Sequence, residues 1–184
     1  MKKIRVGING FGRIGRAFLK VSWDRPEIEI VAVNDLGDVS NMAYLLKYDT
    51  VYREWKHPIR TETSNGTSEI IIDEKRVRIL AEKDPNLLPW KDLDIDVVVE
   101  STGLFTSYDK ANAHIKAGAK KVVISAPAKG EAGKPSKGDP SNPSTDSGQV
   151  TSGQEVLVKG ETILMAINEE KFGTCDITSN ASCT

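Results

Sequence analysis

The sequence predicts an α/β fold, a doubly wound and mostly parallel sheet with a small antiparallel excursion at one edge. Three observations predict it. Residues 1–35 read as strand, glycine-rich turn, helix and strand, the length of a parallel crossover. Residues 51–80 carry closely spaced extended runs with turn residues between them, the pattern of hairpins. Beyond residue 94, short β-branched runs flank a helical stretch again.

The elements follow in order. Residues 4–8, Ile-Arg-Val-Gly-Ile, form a short buried strand, and Gly10 to Gly15 a glycine-rich turn. Residues 14–23 place Ile14, Ala17, Phe18 and Val21 at helical spacing, and Pro26 ends that helix. Ile28, Ile30, Val31 and Val33 make the second strand, closed by Asn34-Asp35. Ser40 caps a helix over residues 41–47. Ile70-Ile71-Ile72 and Val77-Arg78-Ile79-Leu80 lie beside the turn residues Asn65-Gly66 and Asp73-Glu74-Lys75, which gives the antiparallel excursion. Strands are then expected at Ile95–Val99, Lys121–Ile124, Ile163–Ile167 and Ile177–Ser179, with a helix over 109–117.

Residues 131–160 break this pattern. They hold five Gly, three Pro and five Ser and no aromatic residue, too little apolar surface to offset the entropy of ordering. They are expected to be a flexible insertion within one domain spanning 1–179, with 180–184 opening a further domain. Both ends of the segment read Gly-Glu, at Gly130-Glu131 and Gly160-Glu161, so it is expected to start and finish at nearly one place.

The bulk composition is that of an ordinary globular chain, 39% hydrophobic and 28% charged over 184 residues. With 25 basic and 26 acidic residues, the net charge of -1 gives no pull toward nucleic acid or an anionic membrane. No apolar run is long enough to span a bilayer and no signal sequence is visible, so a cytoplasmic location is expected. Cys175 and Cys183 make neither a disulfide framework nor a metal pattern, and no metal is expected. Cys175 reads as a small structural residue, and His57 and His114 as surface or packing residues.

Gly10-Phe11-Gly12-Arg13-Ile14-Gly15 fits G-x-G-x-x-G. The hexamer follows a strand and opens a helix, and an acid, Asp35, ends the next strand about 20 residues later, which completes the dinucleotide fingerprint of a Rossmann-type domain. The glycines supply a tight turn, backbone access to a pyrophosphate and close helix packing. The helix N-terminus offers unpaired N–H groups to the phosphates. Asp35 accepts from the ribose hydroxyls, and an anion there favours NAD over NADP.

Seven further blocks accompany the fingerprint. Ile8-Asn9-Gly10-Phe11-Gly12-Arg13-Ile14-Gly15-Arg16 is followed by Val33-Asn34-Asp35, Leu46-Lys47-Tyr48-Asp49-Thr50 and Glu82-Lys83-Asp84-Pro85. Then come Glu100-Ser101-Thr102-Gly103-Leu104-Phe105, Ala117-Gly118-Ala119-Lys120-Lys121-Val122, Ser125-Ala126-Pro127-Ala128 and Ser179-Asn180-Ala181-Ser182-Cys183-Thr184. In this order they resemble the N-terminal, NAD-binding part of the phosphorylating glyceraldehyde-3-phosphate dehydrogenases, over nearly the whole chain outside the insertion.

The resemblance implies the following roles. Asn9, Gly10, Gly12 and Gly15 belong to the cofactor-binding turn, the backbone of Arg13 and Ile14 faces the pyrophosphate of NAD, and Asp35 faces its ribose. Lys83 lines the adenine side, its other reading being solvated surface. Thr102, Phe105 and Ser125 line the cleft toward the nicotinamide, with core packing the other reading of Phe105. Ser182 and Thr184 contact substrate phosphate, and Cys183 is the nucleophile. It adds to the aldehyde, the adduct gives hydride to NAD, and phosphate attacks the resulting thioester. The reaction implied is oxidation of D-glyceraldehyde 3-phosphate to 1,3-bisphosphoglycerate in glycolysis, by a homotetramer. The sequence ends one residue after Cys183, without the histidine that pairs with this cysteine in the family, so NAD binding without turnover is expected of these 184 residues. Two other readings stand beside this one: erythrose-4-phosphate dehydrogenase, which tends to carry Glu at the position of Asp35, and a non-catalytic NAD-binding module.

Overall fold

A computed structural model describes residues 2–64, 66–128, 160–163 and 174–180. Strand β1 (Ile4–Asn9) leads through α1 (Arg13–Ser22) to β2 (Ile28–Asn34), as the first 35 residues predict. Helix α2 (Val39–Lys47), a two-stranded ribbon of β3 (Tyr48–Asp49) and β4 (Arg53–Glu54), and the strands β5 (Ile59–Ser64), β6 (Thr67–Ile72) and β7 (Lys75–Leu80) follow. A 3-10 turn over Pro85–Leu87 precedes β8 (Val97–Glu100), α3 (Tyr108–Lys116), β9 (Lys121–Ile124), β10 (Gly160–Ile163) and β11 (Ile177–Asn180).

The main sheet has nine strands in the order β10-β11-β9-β8-β1-β2-β7-β6-β5. From β10 to β7 every neighbouring pair is parallel, while β7-β6 and β6-β5 are antiparallel. The antiparallel excursion therefore sits at one edge, as expected. Its inner turn places Asp73 and Glu74 at φ 47° and 66°, the left-handed pair that suits a two-residue hairpin.

Two cores cover the two faces. One packs Leu19 of α1 and Met42 and Leu46 of α2 on Val6, Ile8, Ile30 and Val33; the other packs Trp90, Tyr108 and Ala111 on Ala32, Val98, Val122 and Ile124. The alternation along β2 breaks once. Val6 stands opposite Ile30 but Gly7 opposite Ala32, so Val31 is an extra residue that resets which side chains face α1. Gly7 lies beneath the Trp90 ring, where an added Cβ would stand 3.0 Å from Cζ3.

Four expectations are corrected. The buried side of α1 is Gly15, Leu19 and Ser22, while Ile14 and Val21 are exposed; Gly15 seats against the Gly10 carbonyl and Leu19 enters the core, and that rotation turns Ile14 and Val21 outward. The cap of α2 is Asp38, whose carboxylate accepts from the Asn41 amide at 2.9 Å, rather than Ser40. The strand expected at Ile95–Val99 runs Val97–Glu100. The strand expected at Ile163–Ile167 begins at Gly160, so Gly160 belongs to the sheet and not to the insertion. Residues 131–159 lie outside the described residues, and the flexible-insertion reading lies there with them. No helix among the described residues is long and apolar enough to cross a membrane.

Candidate functional site

The sheet order runs outward in both directions from β1, to β2 on one side and β8 on the other. Ligands of open α/β sheets bind outside the carboxyl ends of strands at such a reversal. A cleft of about 480 Å³ opens there, lined by residues that end β1 and β2 and by the loops after β7 and β8. Of the residues singled out in the sequence, Asn9, Gly10, Gly12, Asp35, Lys83, Thr102 and Phe105 line it.

Each fingerprint glycine meets a different constraint. Gly10 has φ 92°, and a Cβ there would lie 2.7 Å from the Thr102 amide. At Gly15 a Cβ would lie 2.1 Å from the Gly10 carbonyl, so the helix is seated against the turn. Gly12 has no atom within 4 Å of the corresponding point. Its open side faces the cleft, where a side chain would fill space that a ligand backbone needs. Gly12 also caps α1 without any side-chain hydrogen bond, which leaves the first-turn amides to an anion.

Asp35 is held by both oxygens. Oδ2 accepts from the Phe11 amide at 2.7 Å and Oδ1 from the Gly37 amide at 2.9 Å. The acid at the end of β2 is thus tied to the fingerprint loop, and its remaining lone pairs stay available to a ribose diol.

Beneath the cleft runs a chain of buried hydrogen bonds that the sequence did not reveal. The Asn34 side chain spans from Glu82, donating to its carbonyl at 2.9 Å and accepting from its amide at 2.9 Å, to Oδ1 of Asn9 at 2.7 Å. Asn9 donates to Glu100 at 2.6 Å, and Glu100 also accepts from His114 Nε2 at 3.0 Å and from the Thr102 amide at 2.8 Å. The Trp90 indole N–H donates to His114 Nδ1 at 3.0 Å. These bonds join the carboxyl ends of β1, β2, β7 and β8. Their members are up to 105 positions apart, so no local pattern signals them.

Other candidates are placed elsewhere. The side chains of Arg13 and Ile14 are exposed and do not line the cleft, while their backbone, the part expected to face the pyrophosphate, opens α1 directly after Gly12. Ser125 joins Ile14, Phe18, Val97, Val99 and Val123 around an apolar groove on the α1 face. Phe105 combines its two readings: it lines the cleft and packs edge-on against His114, ring centroids 6.3 Å apart. His114 is fully buried and His57 is bonded to Asp73 at the far edge, so the packing reading describes both better than the surface one. Cys175 is buried, and burial pushes its thiol up. Ser182, Cys183 and Thr184 lie outside the described residues. Asn34, Leu36, Glu82, Ser101 and Leu104 line the cleft without having been singled out. Each adjoins a residue that was, and a strand end brings its neighbours with it.

Comparison with known proteins agrees with this geometry. Residues 4–108 match the family described as "Glyceraldehyde 3-phosphate dehydrogenase, NAD binding domain". A glyceraldehyde-3-phosphate dehydrogenase of Thermotoga maritima is 52% identical over 129 residues, 69% of this chain and 38% of the relative. Proteins of the same name from Streptomyces coelicolor and Geobacillus stearothermophilus are 41% and 39% identical, each covering 98% of this chain and 45% of the relative. The chain thus spans less than half the length of these relatives.

Proposed function

The chain belongs to the glyceraldehyde-3-phosphate dehydrogenase family and carries its NAD-binding domain; from that premise we propose that the whole protein oxidises D-glyceraldehyde 3-phosphate, with NAD and phosphate, to 1,3-bisphosphoglycerate. The observation that carries the reading is the division of labour among Gly10, Gly12 and Gly15 beside a clamped Asp35. A tight turn, an open approach and a close helix seat are what a pyrophosphate crossing the turn requires, and the acid is placed for the ribose. The residues present therefore fit NAD. When bound, NAD supplies the hydride acceptor.

The chain's own residues divide the remaining work. Gly12 and the first turn of α1 hold the pyrophosphate, Asp35 the ribose, and Lys83 stands exposed at the rim on the adenine side. Thr102 and Phe105 form the wall after β8. Cys183 is assigned the nucleophile, and Ser182 and Thr184 the substrate phosphate, by their match to the family pattern. In the same reading residues 1–179 form the NAD-binding domain, 180–184 open the next, and the whole protein is a cytoplasmic homotetramer. For these 184 residues NAD binding without turnover is the reading, supported by the two histidines. His114 is committed to Glu100 and Trp90, and His57 to Asp73. Both ring nitrogens of buried His114 are taken, His57 lies at the far edge of the sheet, and neither lines the cleft.

Calorimetric titration of the chain with NAD, paired with a dehydrogenase assay on glyceraldehyde 3-phosphate, tests the proposal. Saturable NAD binding without reduction of the cofactor is expected. Absence of binding would refute the cofactor reading, and steady turnover would refute the assignment of the histidines.

A further inference from the structure

We infer that Glu100 is a positioning residue for the cofactor cleft, its buried carboxylate fixing Asn9 and the Thr102 loop at the height where the cofactor lies. The inference rests on the NAD-binding reading of that cleft.

Glu100 is 1% exposed and His114 beside it 0%. Burying an acid costs stability unless its oxygens are fully bonded. Here Oε2 accepts from Asn9 Nδ2 at 2.6 Å and from His114 Nε2 at 3.0 Å, and Oε1 accepts from the Thr102 amide at 2.8 Å and from the Thr102 hydroxyl. All four partners act as donors. An indole N–H only donates, so the Trp90 bond makes His114 Nδ1 an acceptor and leaves the neutral ring's proton on Nε2. Asn9 Nδ2 and His114 Nε2, 3.4 Å apart, are then two donors aimed at one oxygen rather than partners of each other. Four inward donors are the bonding of a carboxylate. They leave no oxygen edge for a proton of its own.

The two clamped groups are cleft residues. Asn9 immediately precedes Gly10, and both it and Thr102 line the cleft. Thr102 passes the constraint on, since its hydroxyl oxygen accepts from the Leu104 amide at 3.0 Å, and Leu104 is another lining residue. Ser101 closes the loop from the other side, donating to the Gly10 carbonyl at 2.7 Å. A single buried acid thus sets the separation of the β1 turn and the β8 loop. Glutamine fits the same space but offers one oxygen and one NH2. Whichever way it turns, an NH2 faces donors and one clamp is released.

The test uses the full chain, unaltered and as Glu100→Gln and Trp90→Phe, with NAD titration and thermal melting of each. Glu100→Gln should weaken NAD by about tenfold or more, the scale of a lost bond to a charged acceptor. Trp90→Phe removes the far end of the chain and keeps all four donors of Glu100. It should lower the melting temperature while holding NAD affinity within about twofold. Undiminished NAD binding by Glu100→Gln overturns the inference. Equal losses of affinity in both variants also overturn it, because they mark a purely structural network. Should Glu100→Gln not fold, hydrogen exchange of the Thr102 amide in the unaltered chain decides. Bonded to a buried carboxylate, that amide should be protected before NAD is added as well as after. A Thr102 amide that exchanges freely until NAD binds overturns the inference. An unaltered chain that does not bind NAD refutes the cleft reading itself, a different result from binding that ignores Glu100.

Discussion

The Phe11 amide donates to Oδ2 of Asp35 at 2.7 Å, so the ribose acid and the fingerprint turn are one bonded unit. Asp35 then has two effects, one on cofactor choice and one on the turn. A carboxylate at this point repels a 2′-phosphate, and NAD should bind more tightly than NADP. Asp35→Ala should narrow that preference and, by freeing the Phe11 amide, lower stability by about 1–3 kcal/mol. Paired titrations with NAD and NADP check the first effect and denaturant unfolding the second. Equal or tighter binding of NADP by the unaltered chain would sink the assignment of Asp35.

Gly12 and Gly15 should respond differently to alanine. Nothing lies within 4 Å of the point a Cβ would occupy at Gly12, so Gly12→Ala should melt within a few degrees of the unaltered chain, roughly the effect of a tolerated surface change. It should nonetheless lose most NAD affinity, because the methyl group stands where the pyrophosphate passes. Gly15→Ala drives a Cβ to 2.1 Å from the Gly10 carbonyl and should lose both stability and binding. An alanine at 12 that binds NAD normally would show that the cofactor does not approach this turn.

The acid limb of stability should owe part of its slope to Asp96. Its carboxylate accepts from the Arg5 amide at 2.9 Å and from Lys120 Nζ at 2.6 Å, and these bonds hold it below the usual carboxylate range. A folded-state value below the unfolded one means stability present above the unfolded value and lost as pH falls through the folded one. The melting temperature should therefore drop as pH falls through and below the ordinary carboxylate range. Asp96→Asn should melt lower near neutrality and show a shallower acid limb. Asp49 and Asp84 are lowered by backbone amides in the same direction, so some slope remains. An unchanged acid limb in Asp96→Asn would contradict the assignment.

Cys175 should resist alkylation in the folded chain. It is 6% exposed, and burial disfavours its thiolate, the reactive form. Mapping the modified peptides over time should show Cys175 protected in the folded chain and labelled only on unfolding. Early labelling of Cys175 would mean that the segment leading into β11 opens readily.

The legible parts of the molecule were those written locally. The fingerprint, the three valines of β8 and the Asp73-Glu74 turn each carry their structure within a few residues. Reading by hydrophobicity failed on α1, where Ile14 and Val21 advertise a core face. The buried side is instead Gly15, Leu19 and Ser22, because the seat of Gly15 against the Gly10 carbonyl fixes how the helix is turned. The cap of α2 was misplaced because Asp38 and Ser40 are both good caps, and only the bond to Asn41 separates them. The network around Glu100 was hidden for a different reason. Asn9, Asn34, Glu100 and His114 come from four elements, and nothing local in the sequence shows that their side chains meet.

Deleting residues 131–160 should preserve both the sheet and the NAD site, and the structure adds a condition that the composition alone does not supply. Gly160 opposes Ile177, which opposes Val122, so β10 enters the sheet two strand spacings from β9, on the order of 10 Å. Because β9 and β10 run parallel, the chain leaving Ser125 must also return about three residues of rise to reach position 160, a span of roughly 14 Å in all, which the five steps from Ser125 to Gly130, at most about 17 Å, can cover. At position 160 itself an added Cβ would lie 2.0 Å from Cδ1 of Tyr108, whose hydroxyl bonds to Thr162 and Ser179 at 2.9 and 3.2 Å. The position therefore requires glycine. Because both ends of the segment read Gly-Glu, removing 131–160 joins Gly130 to Glu161 and returns a glycine to the place beside Tyr108. Loop closure costs change slowly with length, so the deletion should alter stability by no more than about 1–2 kcal/mol and leave NAD affinity unchanged. The same deletion combined with Gly130→Ala should unfold at markedly lower temperature, since the methyl group then meets the Tyr108 ring. Melting and NAD titration of the two deletions settle the matter. A deletion that destroys the NAD site would show the segment to be packed structure, and a harmless alanine at the join would show that Gly130 does not take the place of Gly160.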